Sequence, residues 1–266
     1  MSESGTQNTV VTALAAIGRP VVNGFAGVGS AAIFAGRTIR RGLTPPYYPT
    51  RLIEQFFQIG WLSIPVVALT AIFTGAALAQ QIYTGGSRFN AQSTVPAVVV
   101  IGMVRELGPV LTGLMVAGRV SSAMAAELGT MRVTEQIDAM RTLRTDPYRY
   151  LIAPRLFAAI IAMPLLVCLA NILGIFGGYL LSTAKLGFNP ANYLSMTADI
   201  LEADDIVMSL VKAAVFGFFI ALSGCYAGLS ASGGAAGVGR ATTNAVVAAF
   251  VTILAANLVL TVAAFG

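Results

Sequence analysis

An arginine and a glutamate stand side by side in a stretch that is otherwise apolar enough to cross a bilayer. Arg105 and Glu106 lie within residues 95–117, and Pro109 follows three residues later. A charge at membrane depth is costly, so an intramembrane ionisable pair is by default a candidate functional site. In a helix, Pro109 lacks an N–H donor and clashes with the carbonyl of residue 105, which opens or kinks the backbone there. Polar groups at this depth must face protein or a water-filled cavity.

The pair could serve acid–base catalysis, contact a lipid headgroup or form a structural ion pair. Adjacent residues do not face each other on a helix, so Arg105 and Glu106 should have different partners. We interpret Glu106 as part of a polar pocket or gate, with a structural role as the alternative. The sequence contains no His, which removes histidine-based catalysis and histidine metal ligands. We therefore predict no catalytic residue and no metal site in this chain.

The composition is typical of an integral membrane protein. Of the 266 residues, 56% are hydrophobic and only 10% are charged, whereas soluble domains carry about 25% charged residues. An amphipathic pattern favours a helix in the membrane interface over residues 8–42. Five later stretches approach the ~20 residues that a bilayer needs: 61–79, 95–117, 156–181, 206–229 and 245–265. The sequence thus predicts an all-α integral membrane protein, with a single domain over residues 1–266.

The distribution of Lys and Arg predicts how the chain is oriented. Basic residues precede the first stretch, fill the loop at 127–155 and recur at Arg240, while the opposite loops hold only Arg88 and Lys185 with several acidic residues. Because cytoplasmic loops carry the excess of Lys and Arg, the N-terminus is predicted to be cytoplasmic and the C-terminus external. We interpret Lys212 as lying near a span end, where it can extend to the interface. Nucleic-acid binding is not expected.

The loop at 127–155 contains a short charged helix, predicted over residues 130–145. Thr134 can cap its N-terminus, and Val133, Ile137 and Met140 share one face. A charged helix with an exposed apolar stripe suits a groove on a soluble partner. It could equally rest on lipid headgroups, and these residues alone favour neither interpretation.

The end of the first stretch offers further candidates for lipid contact. Gln80, Gln81 and Tyr83 would lie at its outer end, near the mouth of a cavity, where they could contact a headgroup. Phe73 and Leu78 belong to the preceding apolar wall, which could contact acyl chains. The alternative is that these residues are ordinary interfacial and packing positions.

Several spaced motifs follow one another along the chain: Arg105-Glu-Leu-Gly-Pro, Ala117-Gly-Arg, the run from Ala126 to Met140, Asp146-Pro, Pro154-Arg155, Pro164-Leu-Leu and Gly237-Val-Gly-Arg-Ala-Thr-Thr. In type and order these motifs resemble the MlaE/YrbE family, whose members are permease subunits of MCE-type ABC lipid transporters. The resemblance covers most of the chain after residue 50.

The resemblance implies a homodimeric permease in a bacterial inner membrane. Such permeases pair with a cytoplasmic ABC ATPase that binds ATP and Mg, so no cofactor is expected on this chain. A periplasmic ring of MCE-domain proteins sits above them in Gram-negative bacteria, and some complexes carry a STAS-domain protein. These assemblies move phospholipid between the inner membrane and a periplasmic path, for outer-membrane lipid homeostasis.

The resemblance also assigns roles to two groups of residues. Glu106 would lie close to a central lipid pocket of the dimer, and the helix at 130–145 would couple to the ATPase. The coupling residues would be Met131, Arg132, Glu135, Gln136, Asp138, Met140 and Arg141.

Two other functional classes remain open from the residues. An intramembrane lipid-modifying enzyme could use Glu106 as its acid or base, although the absence of His and of a paired acid motif speaks against it. An ion-coupled carrier is disfavoured by the absence of visible inverted repeats. Residues 233–243 are glycine-rich, but they lack the Lys-Ser/Thr and the preceding strand of a phosphate loop. We interpret them as a turn, so ATP would be hydrolysed by a partner.

Overall fold

A computed structural model describes residues 22, 26–27, 29–89 and 92–265 of the chain. These residues form helices and short connections, with no β-strand among them. Five helical segments are long and apolar enough to cross a membrane, and we call them the first to fifth spans: Pro49–Gly86, Gln92–Val133, Tyr148–Ala184, Ala203–Leu229 and Gly234–Ala264. The predicted all-α membrane architecture is confirmed.

The spans consist of shorter helices because 3₁₀ turns, π-helical turns and prolines interrupt them. Before the first span, residues 29–42 form α1. The first span contains α2 and α3, joined by a 3₁₀ turn, and the second contains α4, α5 and α6, joined by two π-helical turns. Their bounds are α2 Pro49–Ile59, 3₁₀ Trp61–Ser63, α3 Ile64–Gly86, α4 Val95–Gly102, π Met103–Leu107, α5 Gly108–Val116, π Ala117–Ser121 and α6 Ser122–Val133.

The remaining helices complete the bundle. A further π-helical turn starts the third span, and single helices form the body of the third, fourth and fifth spans. Their bounds are α7 Gln136–Thr142, π Tyr148–Ile152, α8 Ala153–Ala184, α9 Pro190–Ile200, α10 Ala203–Leu229 and α11 Gly234–Phe265. We name the two ends of the bundle after the short helices there, the α7 end and the α9 end.

The helix predicted over residues 130–145 is divided differently in the structure. The second span continues to Val133, so α7, the helix predicted to couple to an ATPase, begins only at Gln136. Thr134 does not cap α7, because its hydroxyl donates to the carbonyl of Thr130 at 2.8 Å. Glu135 instead precedes α7 with a φ of 60°, a left-handed conformation that reverses the chain. The two helices are therefore separate.

α1 packs across the α7 end of the bundle. Phe34 is buried, and its ring lies 5.6 Å from the rings of both Tyr148 and Tyr226. Arg41 forms an ion pair with Asp146 at 3.1 Å. The predicted interfacial helix reaches back to residue 8, and its positions 8–21, 23–25 and 28 lie outside the described residues.

The third span forms the centre of the bundle and the fifth span lies at its periphery. Half of the most apolar 18-residue stretch of the third span is buried, against 17% for the fifth. The exposed side of the fifth span is apolar, with more than half of Val251, Leu258 and Val262 exposed. This face must therefore be covered by lipid or by another protein.

Glycines allow the first and third spans to approach backbone to backbone. A methyl group at Gly75 would overlap the carbonyl oxygen of Gly174, and one at Gly177 would overlap the carbonyl of Ile72. Without a hydrophobic driving force between helices in lipid, such close van der Waals packing is a main source of association.

We predict that Gly75→Ala or Gly177→Ala lowers the free energy of unfolding by about 1–3 kcal/mol, since each added methyl meets backbone atoms that cannot move aside. Gly85→Ala is the matched control, because no atom lies within 4 Å of its added methyl. Thermal unfolding in detergent measures the effect. Equal unfolding temperatures for all three variants would contradict the close packing.

Candidate functional site

Glu106 lies in a π-helical turn of the second span, at about half the depth of a bilayer. The turn is Met103–Leu107, and such turns are frequent at functional sites. Glu106 follows Val95 by eleven residues, which is about 17 Å along a helix, against a hydrocarbon core of ~30 Å. Its surroundings decide whether a charge can persist there.

Three side chains donate hydrogen bonds to the carboxylate of Glu106. Oε1 accepts from Lys212 Nζ at 2.9 Å and from Thr261 Oγ1 at 2.7 Å, and Oε2 accepts from Asn257 Nδ2 at 2.6 Å. Lys212 belongs to the fourth span, whereas Asn257 and Thr261 lie one turn apart on the fifth. We call these four residues the Glu106 cluster, and it joins three spans.

Lys212 is wholly buried and uses all three of its N–H donors. Beyond Glu106, its ammonium donates to Thr261 Oγ1 and to the backbone carbonyl of Arg105, both at 2.7 Å. Pro109 has no N–H to donate to that carbonyl, so the proline leaves an acceptor that the lysine occupies. The interpretation of Lys212 as a residue that extends to the interface is wrong. It lies nine residues inside α10, and three acceptors compensate its burial.

Arg105 has a different partner from Glu106, as expected for neighbours on a helix, although both partners belong to the fourth span. Its Nε lies 2.7 Å from Oδ1 of Asp205, whose side chain is buried near the start of α10. The two adjacent charges of the second span therefore each have an oppositely charged partner on the fourth span. Such buried pairs are costly to break, because removing one partner leaves the other charge uncompensated.

The polar residues of α10 form a continuous seam. Asp205, Ser209 and Lys212 are all buried and spaced four and three residues apart, which places them on one helix face. Ser209 Oγ accepts a hydrogen bond from Asn171 Nδ2 of the third span at 2.9 Å. Asn171 also packs against Gly108, where an added methyl would overlap its Oδ1. The seam thus extends polar contacts from the second span to the third.

The partners of Arg105 and Glu106 were not predicted from the sequence, although the sequence contains a signal for them. Polar residues recur at helical spacing within apolar stretches, at 205, 209 and 212 in one span and at 257 and 261 in another. That pattern marks a buried polar face on each helix. It does not reveal which span each face meets, so only the packing identifies Glu106 as the common partner.

The Glu106 cluster opens to the outside of the single chain. The side chain of Glu106 keeps 38% of its exposure, whereas that of Lys212 has none. The carboxylate therefore lies at the surface formed by the second and fifth spans, and the lysine lies behind it. Since a carboxylate at this depth cannot face hydrocarbon, the adjoining space must hold water, a polar ligand or another protein.

The first-span candidates do not reach this carboxylate, whose three donors come from the fourth and fifth spans. Tyr83 and Leu78 pack against the apolar cluster of Ala79, Val95, Val99 and Met103, between the first and second spans. Gln80 donates to Thr84 in its own helix at 3.1 Å. Gln81 and Phe73 are exposed on the first span.

The residues predicted to couple to an ATPase lie at the α7 end, on two helices rather than one. Met131 and Arg132 belong to the last turn of α6, while Glu135 precedes α7. The other four, Gln136, Asp138, Met140 and Arg141, lie on α7.

The apolar face of α7 is turned inward, contrary to the predicted exposed stripe. Ile137 is completely buried and Met140 is partly buried against the main core. Asp138 pairs with Arg132 at 2.7 Å and with Arg141 at 2.9 Å, which fixes α7 against α6. Most exposed positions are polar, including Glu135, Gln136 and Arg141, and the apolar ones are Ala139 and Leu143. Docking to a partner would therefore use this outer face.

Residues 52–263 match the family model described as Permease MlaE. The chain belongs to the MlaE permease family. The matched range contains the whole Glu106 cluster and α7.

Relatives of this MlaE-family permease come from bacteria and a plant. A probable ABC transporter permease protein of Rickettsia felis is 50% identical over 92% of this chain and 95% of its own length. The intermembrane phospholipid transport system permease protein MlaE of Haemophilus influenzae is 32% identical, over 97% of this chain and 99% of its own. The chloroplastic protein TRIGALACTOSYLDIACYLGLYCEROL 1 of Arabidopsis thaliana is 38% identical over 87% of this chain and 66% of its own. The chain is thus a multispanning transporter permease.

We predict that Lys212→Met destabilises this MlaE-family permease by about 3 kcal/mol, because it leaves the Glu106 carboxylate without its charged partner. Adding Glu106→Gln should recover part of that loss, with a coupling energy of at least about 1 kcal/mol. Lys185→Met, at an exposed lysine of the α9 end, is the control. Chemical unfolding in detergent gives the free energies of the unaltered chain, Lys212→Met, Glu106→Gln and the double variant, and the control is measured beside them. Strictly additive losses would refute the pairing.

Proposed function

We propose that this chain is the transmembrane subunit of an ATP-driven phospholipid transporter, with the Glu106 cluster as the polar gate of its lipid pocket. The observation that carries the proposal is an ionised cluster at mid-depth that is partly open at the bundle surface. The Haemophilus relative named for intermembrane phospholipid transport supports the substrate class. Lipid would pass between the inner membrane and a periplasmic path of MCE-domain proteins, for outer-membrane lipid homeostasis.

The gate would work through opposite charges held at one depth. Arg105 and Glu106 are each paired to a buried residue of the fourth span, yet about a third of each side chain remains exposed. A lipid headgroup carries a phosphate and often an amine, so both charges offer complementary contacts. Separation of the second span from the fourth would weaken both ion pairs and change the shape of the pocket.

A homodimer would complete this pocket. The open side of the Glu106 cluster lies beside the fifth span, whose outer face is exposed and apolar. A second copy packed on this face would cover the apolar residues and enclose the two Glu106 carboxylates in one central cavity. This arrangement would satisfy the requirement that polar groups at membrane depth face protein or water.

A separate cytoplasmic ABC ATPase would supply the energy, binding ATP and Mg. The outer face of α7 would sit in its groove, and α6 continues from that point through α5 to the π-helical turn that holds Glu106. The interpretation of residues 233–243 as a turn is wrong for most of them, because α11 begins at Gly234. Only residues 230–233 connect the fourth and fifth spans, with positive φ at Gly233 and Gly234. ATP binding would draw two α7 helices together and tilt the second spans.

The charge distribution supports the orientation we propose. Arginines are concentrated at the α7 end, which places it and the N-terminus in the cytoplasm and the C-terminus in the periplasm. An MCE-domain ring would then contact the α9 end, and a STAS-domain protein would bind on the cytoplasmic side.

Loss of the Glu106 charge tests the gate. In liposomes that contain the chain with its co-purified ATPase, Glu106→Gln should lower ATP-dependent transfer of fluorescent phospholipid about tenfold or more, the value expected when one charged hydrogen bond of ~1.5–3 kcal/mol is lost. Glu54→Gln, at an exposed glutamate of α2, is the control. Equal transfer by both variants, at equal ATPase content, would refute a gating role for Glu106.

Docking through α7 is tested by reversing one exposed charge there. We expect Glu135→Lys to weaken binding of the ATPase about tenfold or more, because a close charge pair at a protein interface is worth about 1.5 kcal/mol or more. Asp138→Lys should weaken it as well, although Asp138 also holds Arg132 and Arg141 within the chain. Glu202→Lys makes the same change on the exposed α9 end. Unaltered ATPase recovery with Glu135→Lys would exclude this face.

A further inference from the structure

The α7 end carries a cavity whose charge is not balanced within the chain. Seven arginines lie on α1, the last turn of α6, α7 and the segment that follows it, namely 37, 40, 41, 132, 141, 144 and 149, with three carboxylates at 135, 138 and 146. Asp138 is shared between Arg132 and Arg141, and Asp146 between Arg41 and Arg149. Each shared carboxylate therefore leaves one positive charge in excess.

Arg37 contributes most directly to this excess of positive charge. It lines three adjoining cavities, of about 400, 330 and 490 Å³, and it has no ion-pair partner among the residues that the structure describes. Arg132 and Arg141 line the first of these cavities together with it. Guanidinium groups are the donors best suited to phosphate oxygens, which they bind through paired N–H groups. The charge and the size fit a phosphate-bearing headgroup.

An apolar groove adjoins this basic cavity. It has a volume of about 560 Å³ and lies between the fourth and fifth spans, with Phe219, Leu222 and Ala248 along its walls. Tyr226 and Ser230 line both the groove and the basic cavity, so the two spaces meet there. The Tyr226 hydroxyl is hydrogen-bonded to Ser30 of α1 at 2.7 Å. A basic cavity that continues into an apolar groove is complementary to an amphiphile, which has a charged head and an apolar tail.

We infer that the space between α1, α7 and the fourth span binds one anionic phospholipid. Its phosphate lies at Arg37 and Arg141, and an acyl chain follows the groove past Leu222. Tyr148 and Tyr226 border the headgroup, in keeping with the preference of tyrosine for the membrane interface. This site is separate from the Glu106 cluster, which lies deep in the membrane toward the other end. Bound lipid would connect α1 to the helix proposed to dock the ATPase.

Native mass spectrometry of the full purified chain tests the site. With phosphatidylglycerol added in detergent, Arg37→Gln should lower the lipid-bound fraction about fivefold relative to the unaltered chain, the usual contribution of one basic residue to binding an anionic lipid. Arg37 makes no ion pair among the described residues, so this change should not disturb folding. Lys185→Gln removes the same charge from the α9 end and should retain lipid. Equal retention by both variants, or equal loss, would overturn the site.

A second variant distinguishes a lipid from a free anion. Leu222→Trp fills the apolar groove and should reduce phosphatidylglycerol binding, while millimolar inorganic phosphate should not displace the lipid. Displacement by phosphate together with unchanged binding by Leu222→Trp would overturn the lipid assignment in favour of a free-anion site. Arg37→Gln that lowers ATPase recovery but leaves lipid retention unchanged would also overturn it and assign the arginines to the partner protein.

Discussion

A buried ammonium that reaches into the second span is the interaction on which the arrangement of this bundle depends. Lys212 has no exposed surface and donates to a carboxylate, a hydroxyl and a backbone carbonyl. Its burial is tolerable only because all three acceptors are in place at once. The second, fourth and fifth spans must therefore keep a fixed register, and Pro109 contributes by leaving the carbonyl of Arg105 available.

This requirement links stability to the proposed transport. A buried lysine whose three donors are all paired in one arrangement of spans opposes movement of those spans. Its contacts to Glu106 and to the carbonyl of Arg105 would be lost together if the second span separated from the fourth. Glu106 lies between the buried lysine and the bundle surface. Its carboxylate accepts a hydrogen bond from Lys212 on the inner side, and 38% of its side-chain surface is exposed on the outer side. The π-helical turn around it is a local irregularity of the kind that accommodates such a change without unfolding the helix.

The fold could be predicted because each span carries its own signal. Length and hydropathy alone locate five spans, and the MlaE-type motifs within residues 52–263 agree with them. The site could be predicted only in part. Glu106 and the opening effect of Pro109 follow from local rules, whereas Lys212 looked like an ordinary residue near a span end. Its burial depends on which helices pack together. That packing is determined by many close contacts at glycines between segments that are distant in the sequence.

The same limitation explains the misplaced coupling surface. Helical spacing correctly groups Ile137 with Met140, but it does not show whether their shared face points to the core or to a partner. In the structure this face points to the core, where Ile137 is buried, and one ion pair, between Asp138 and Arg132, links α7 to α6. For the first span, spacing likewise did not reveal that Tyr83 and Leu78 pack between the first and second spans, while the donors to Glu106 come from the fourth and fifth.

The central claim is that this permease holds phospholipid at the Glu106 cluster and works with a separate ATPase. Gentle purification of the tagged chain from native membranes, followed by mass spectrometry of the retained proteins and lipids, tests both parts together. The account predicts an ABC ATPase and bound phospholipid, with less of the lipid but the same ATPase when Glu106 is replaced by Gln. A chain that purifies without an ATPase, or that retains the same lipid after this replacement, would contradict it.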